Sequence, residues 1–218
     1  MHAGPADEQD LRLPGVEAGA SLHGRGSTVV VLGHGAGGNR RHPMLRALAG
    51  SERAVLLYDF PYAAKGLRRP DPPPVLEAAT RAAARLALEA TGARKIVHGG
   101  RSMGGRIASQ VVAAGGRADG LAFLGYPLHP PGQFGKRREA HLPAIGAPML
   151  FVQGTRDAFA REDLLLSLLA RLGSRAELVR VREADHSFGV SKRSGRTPED
   201  VVAEVRDALL GWLERNAL

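Results

Sequence analysis

At 218 residues, with 44% hydrophobic and 24% charged side chains, the chain has the size of one soluble domain whose core needs no staples. It contains no cysteine, which excludes a disulfide framework, a thiolate nucleophile and a cysteine zinc site. The formal charge is +8, but among 30 basic residues only Lys65, Lys95, Lys136 and Lys192 are lysine, the arginine-rich usage of a GC-rich coding sequence. The basic clusters Arg40-Arg41, Arg68-Arg69 and Lys136-Arg137-Arg138 are short and carry no interleaved aromatics, so no nucleic-acid partner is expected.

In chain order, residues 1–10 show neither a basic n-region nor an apolar h-region and are expected to be flexible. No apolar run reaches membrane-spanning length, so the expectation is a cytoplasmic protein with no membrane partner. Residues 11–23, punctuated by glycine, predict an antiparallel edge hairpin. Six β-type runs follow, at 28–32, 54–58, 95–98, 121–124, 149–153 and 177–182. Most are continuous apolar stretches such as Val29-Val30-Val31-Leu32, as strands buried on both faces of a parallel sheet require.

Helical patterns lie between these runs. After Pro72-Pro73-Pro74, Val75, Ala79, Ala82, Leu86 and Ala90 predict one buried face. Ile107 and Val111 predict another. A helix over 162–172 ends at Gly173, and Thr197-Pro198-Glu199-Asp200 opens a last helix with Val201, Val205, Ala208 and Trp212 on its inner side. The alternation predicts a single α/β domain over 1–218, a doubly wound, mostly parallel sheet with helices on both faces. Residues 125–147, between the fourth and fifth runs, are too few for a cap domain, so an open site is expected.

The segment Gly99-Gly100-Arg101-Ser102-Met103-Gly104-Gly105 holds Gly-x-Ser-x-Gly at a strand-to-helix junction. Such an elbow forces the serine into a strained backbone angle, and side chains two residues either side would clash. A serine hydroxyl also needs a histidine to take its proton and a carboxylate to orient that histidine. Asp157, after the fifth run, and His186, after the sixth, follow Ser102 in the order Ser, Asp, His, and parallel strands bring all three to one sheet edge. Asp185 is the competing acid, but it adjoins the histidine and is badly placed to reach its Nδ1.

An oxyanion hole is expected from the Met103 N–H and from Ala36, with Gly37 as the next choice, in the loop Gly33-His34-Gly35-Ala36-Gly37-Gly38. His34, Tyr62, Arg101, Tyr126 and His129 are expected to line the substrate site, and Arg101 with Arg40-Arg41 would favour an anionic substrate. The remaining histidines show no ligand spacing, so neither a metal nor another cofactor is expected.

Two other readings compete. Gly33, Gly35 and Gly38, with Asp59 further on, match a dinucleotide-binding pattern, though Pro43 would interrupt the helix that pattern needs. A hydrolase-like interaction module without turnover is the other.

The segments His34-Gly35-Ala36-Gly37, Asp59-Phe60-Pro61-Tyr62, Gly99 to Gly104, Tyr126-Pro127-Leu128-His129-Pro130, 151–157 and Asp185-His186 together resemble the α/β-hydrolase superfamily. The resemblance is strongest to its small lidless, dienelactone-hydrolase-like members, including the testis-expressed hydrolase-like family. It implies a capless α/β-hydrolase fold and a serine-hydrolase role for Ser102, Asp157 and His186, and it implies no named substrate; the expected substrate is a small carboxylic ester or thioester, cleaved by an acyl-enzyme route. Ser102 stands where dienelactone hydrolases carry cysteine, so the resemblance does not extend to that particular activity.

Overall fold

The computed structural model describes residues 8–49 and 53–218. Eight strands form one sheet: β1 (Glu8–Arg12), β2 (Gly19–His23), β3 (Thr28–Gly33), β4 (Ala54–Tyr58), β5 (Lys95–Arg101), β6 (Gly120–Leu124), β7 (Met149–Gly154) and β8 (Ala176–Val181). Their spatial order is β1-β2-β4-β3-β5-β6-β7-β8. The β1–β2 and β2–β4 pairs are antiparallel and all others parallel, so the hairpin is the antiparallel edge expected near residues 11–23. Strand β1 begins at Glu8, so the expected flexible segment does not reach residues 8–10, which pair with β2. Residues 1–7 lie outside the described residues.

The central strands are buried on both faces because alternate side chains feed two helical layers. Val30, Leu32, Val55, Leu57, Leu150 and Val152 face α1 (Pro43–Ala49) and α6 (Pro198–Arg215). Val29, Val31, Leu56 and Ile96 face α3 (Pro73–Thr91) and α4 (Met103–Ala113), while Leu121, Phe123 and Phe151 meet α5 (Glu162–Leu172). A four-residue helix, α2 (Pro61–Ala64), leads from β4 toward α3. The link from β6 to β7 holds only a single 3-10 turn, Leu142–Ala144, and no cap covers the sheet edge.

Helix α6 starts as its sequence predicts. The Thr197 hydroxyl accepts from Asp200 N, the Asp200 carboxylate accepts from Thr197 N, and Pro198 occupies the first helical position. Val201, Val205 and Trp212 are buried, joined by Leu209 and Leu213, with Ala208 at the margin. Helix α3 departs from expectation. Its buried stripe is Leu76, Ala79, Thr80, Ala83 and Ala87, with Ala82, whereas Val75 and Ala90 are exposed. In so alanine-rich a helix the apolar pattern hardly distinguishes adjacent faces. The buried face also carries a polar contact: Thr80 Oγ1 lies 2.9 Å from Tyr58 Oη and donates to Leu76 O.

His98 is enclosed within β5, its Nε2 donating to the Arg117 carbonyl at 3.0 Å. Burial pushes its pKa down to about 4. The folded chain therefore binds this proton less tightly than the unfolded chain, whose histidine titrates near 6.5. Stability should fall as pH drops below about 6.5, the loss saturating near pH 4 at about 3 kcal/mol from this residue. Tm measured from pH 7.5 to 4.5 should show that slope, and His98→Gln, which keeps a donor, should flatten it. An unchanged slope in the variant would contradict the assignment.

Candidate active site

Ser102 sits between β5 and α4 at φ 48°, ψ −111°, a backbone angle that a side-chain-bearing residue adopts only under constraint. Gly100 and Gly104 supply that constraint: a Cβ on either would overlap the carbonyl of Gly33 on β3. Gly100 also has φ 144°. The Ser102 amide donates to Leu124 O at 2.9 Å, fastening the turn to β6.

His186 comes from the loop after β8, and Asp157 from the turn after β7. His186 Nε2 lies 2.8 Å from Ser102 Oγ, and His186 Nδ1 lies 2.7 Å from Asp157 Oδ2. A carboxylate accepts, so Nδ1 carries the proton and Nε2 is left as the acceptor facing the serine hydroxyl. The Asp157 side chain is fully buried and receives two further donors, Gln153 Nε2 at 2.5 Å and the Phe159 amide at 2.7 Å. Three donors on one buried carboxylate fix its position. Phe159 also stacks on the His186 ring, with centroids 4.1 Å apart and planes 28° from parallel.

Asp185 does not compete for the histidine. Its Oδ1 accepts from Ser187 N at 2.8 Å and Gly189 N at 2.9 Å, closing the turn that carries His186. Gly154 is required on the other side of this loop, because a Cβ there would overlap the Ala184 carbonyl.

The loop after β3 is anchored through one carbonyl. Gly35 O accepts from His34 Nδ1 at 2.8 Å and from Gly38 N at 3.1 Å, with Tyr62 Oη at 3.5 Å. In a planar trans peptide the next N–H points opposite to that carbonyl, so Ala36 N–H is turned away from His34 and Tyr62. Gly37 N–H is engaged by Tyr62 Oη at 3.2 Å, which removes the second-choice donor. Met103, the first residue of α4, presents its N–H at the helix N-terminus beside Ser102.

Four of the five residues expected to line the site are instead buried in the loops that build it. His34 donates to Gly35 O through Nδ1 and accepts from Phe60 N through Nε2 at 3.1 Å, and burial pushes its pKa down, keeping it neutral. His129 repeats the pattern, with Nδ1 toward Pro130 O at 2.9 Å and Nε2 accepting from Arg161 N at 3.0 Å. Tyr126 is buried with its hydroxyl donating to Arg138 O, and Tyr62 is buried against the Gly35–Gly37 turn. Arg101 alone of the five keeps an exposed face beside Ser102. Arg40 is no free cation either: Asp59 Oδ2 at 2.5 Å and Asp10 Oδ1 at 2.9 Å hold its guanidinium.

That last contact also bears on the dinucleotide pattern. Asp59, the expected ribose ligand, is occupied by Arg40, and no helix starts until Pro43, beyond the last glycine of the motif. A surface cavity of about 770 Å³ lined by Arg12, Glu17, Arg41 and Lys65 lies on this side of the sheet, and none of Ser102, Asp157 or His186 borders it. Among the described residues, no three His, Asp or Glu gather as a metal site would require, and no helix is long and apolar enough to cross a membrane.

Gln153 and Phe159 are site residues that the sequence reading missed. A polar residue ending the apolar run Leu150-Phe151-Val152 was the available signal for the first; nothing marked the second.

Solved structures of similar shape bear on the fold. The chain superposes on a dienelactone hydrolase from Anabaena variabilis with a TM-score of 0.73 at 20% identity, covering 97% of this chain and 99% of the other. It matches an α/β serine hydrolase without a lid from Xanthomonas campestris at 0.68 and 16%, covering 97% and 98%. A serine hydrolase homologue from Coxiella burnetii gives 0.68 and 19%, covering 95% and 99%. A family model described as an alpha/beta hydrolase domain matches residues 26–214. Since that match runs from the start of β3 into the last turn of α6 and includes Ser102, Asp157 and His186, the chain belongs to the alpha/beta hydrolase domain family.

Proposed function

We propose that the chain is a cofactor-free serine hydrolase that cleaves carboxylic esters or thioesters through an acyl-enzyme on Ser102. The observation that carries this reading is the continuous hydrogen-bonded chain Ser102 Oγ to His186 Nε2 and His186 Nδ1 to Asp157 Oδ2. In the first step Ser102 Oγ attacks the acyl carbon while its proton passes to His186 Nε2. The buried Asp157 carboxylate stabilises the imidazolium that results. Collapse of the tetrahedral intermediate breaks the bond to the leaving oxygen or sulfur, which takes the proton from Nε2. Water then attacks the acyl-enzyme with the same histidine as base, releasing the acid and restoring Ser102.

Charge on the carbonyl oxygen develops where two fixed amides can meet it. Met103 N–H supplies the helix N-terminus, and Ala36 N–H supplies the loop donor, oriented by the buried Gly35 carbonyl. Donors fixed before reaction need no reorganisation during it, and one such bond lowers the barrier by about 3–4 kcal/mol. His34 and Tyr62 therefore act as positioning residues for this loop rather than as walls of the site.

The site opens at a sheet edge without a cap. Little apolar wall remains for a long acyl chain, although each buried CH₂ would add about 0.8 kcal/mol. Discrimination then rests on groups near the carbonyl.

Kinetics with a p-nitrophenyl ester tests the mechanism. Ser102→Ala or His186→Ala should lower kcat by up to about 10⁶-fold with Tm little changed, and Asp157→Asn by about 10⁴-fold, through loss of the correct tautomer. Full activity in Ser102→Ala would end the acyl-enzyme reading. Across a chain-length series, acyl groups of about two to four carbons should give the higher kcat/KM and those of about twelve or more the lower, in the absence of a burial gain. A steady rise with length would mean an acyl pocket and contradict the open-site account.

A further inference from the structure

Arg101, the residue before the elbow serine, is the cation most intimately placed in the candidate active site. One of its guanidinium nitrogens, Nη1, lies 2.6 Å from the point where a Cβ on Gly35 would stand, and Ser102 Cβ lies 3.7 Å from the same point. The guanidinium thus lies across Gly35, one residue before the proposed loop donor Ala36. Its Nη2 donates to Ser187 Oγ at 2.9 Å, which draws it to the loop carrying His186. The side chain bridges the two loops that flank Ser102.

Its charge is left open. Among the described residues no carboxylate lies within 4.0 Å of Arg101, although thirteen other arginines, Arg40 and Arg161 among them, pair with Asp or Glu within that distance. The Arg101 Nε–H is buried without any acceptor. Burial also pushes its pKa down, opposed only by the more distant Asp185 and Asp157. Both of those carboxylates are already engaged, Asp185 by turn amides and Asp157 by His186, Gln153 and Phe159. A partly desolvated guanidinium with no counter-ion is stabilised when an anion reaches its accessible edge.

Resting on the serine-hydrolase reading, we infer that Arg101 selects substrates whose acyl portion carries a carboxylate, which docks on its free Nη1 edge while the scissile carbonyl faces Ser102. A carboxylate suits this edge better than a phosphate. Nη2 is partly engaged by Ser187 and Nε is enclosed, so few donors remain for a group of higher charge.

The test compares two esters with the same four-carbon acyl length, monomethyl succinate and methyl butyrate, by proton release. The wild-type chain should show kcat/KM about 10- to 100-fold higher for the anionic ester, the range that a charge-assisted hydrogen bond supplies. The advantage should shrink with added salt, as an accessible ion pair requires. In Arg101→Met the ratio should fall toward one. In Arg101→Lys, which keeps the charge but not the fork, it should fall between the two. The wild-type ratio alone is decisive if a variant misfolds. Equal kcat/KM for both esters in the wild type would overturn this inference and leave the hydrolase reading standing. Cleavage of neither would overturn that reading, and this inference with it.

Discussion

Three glycines on neighbouring elements govern the geometry of the whole sheet edge. Gly100 on β5 and Gly104 on α4 both press against Gly33 at the end of β3, so closely that a single added carbon at either would overlap its carbonyl. Gly33 has no room to retreat. A Cβ on it would stand 2.8 Å from Tyr58 Oη, which is hydrogen-bonded to Thr80 on α3. Strand, helix and elbow are therefore wedged from both sides, and Ser102, between the two outer glycines, is held at φ 48°. The strain is local, whereas the packing that maintains it spans β3, β4, β5, α3 and α4.

The loops around that elbow share one device. A buried histidine uses Nδ1–H to hold the carbonyl of the next residue and Nε2 to accept an amide from another loop. His34 does this between the β3 loop and Phe60. His129 does it between the β6 loop and Arg161, while its own amide donates to Phe159 O. The first tie orients the Gly35–Ala36 peptide. The second fixes the segment carrying Asp157 and Phe159. Loop geometry at the open edge thus comes from buried imidazoles that each accept an amide through Nε2, and at His34 burial lowers the proton affinity, which keeps that nitrogen an acceptor.

What could be read from the sequence follows from what is local. Continuous apolar runs and their spacing revealed the parallel strands, and Gly-x-Ser-x-Gly with a downstream Asp and His marked the elbow and its partners, because chain order and strand ends dictate where such residues emerge. Side-chain direction in loops is not local. His34, Tyr62, Tyr126 and His129 stand on the correct edge but point inward, where the backbone groups of other loops need partners. Gln153 and Phe159 bear on the site through Asp157 and His186, across contacts that spacing does not encode. The phase of α3 escapes the sequence for a related reason: a run of alanines leaves the face open, and the Leu76 and Thr80 contacts with the sheet that lie on the buried side are not local.

On the proposed mechanism, the wedged elbow presents Ser102 as the nucleophile of an acyl-enzyme. Reaction of the native chain with a fluorophosphonate, followed by peptide mass mapping, tests it most directly, since the reagent needs both the activated hydroxyl and the oxyanion donors. One adduct per chain is expected, located on Ser102 and lost in Ser102→Ala. Labelling at another serine, or none in chains that are folded by Tm, would contradict it.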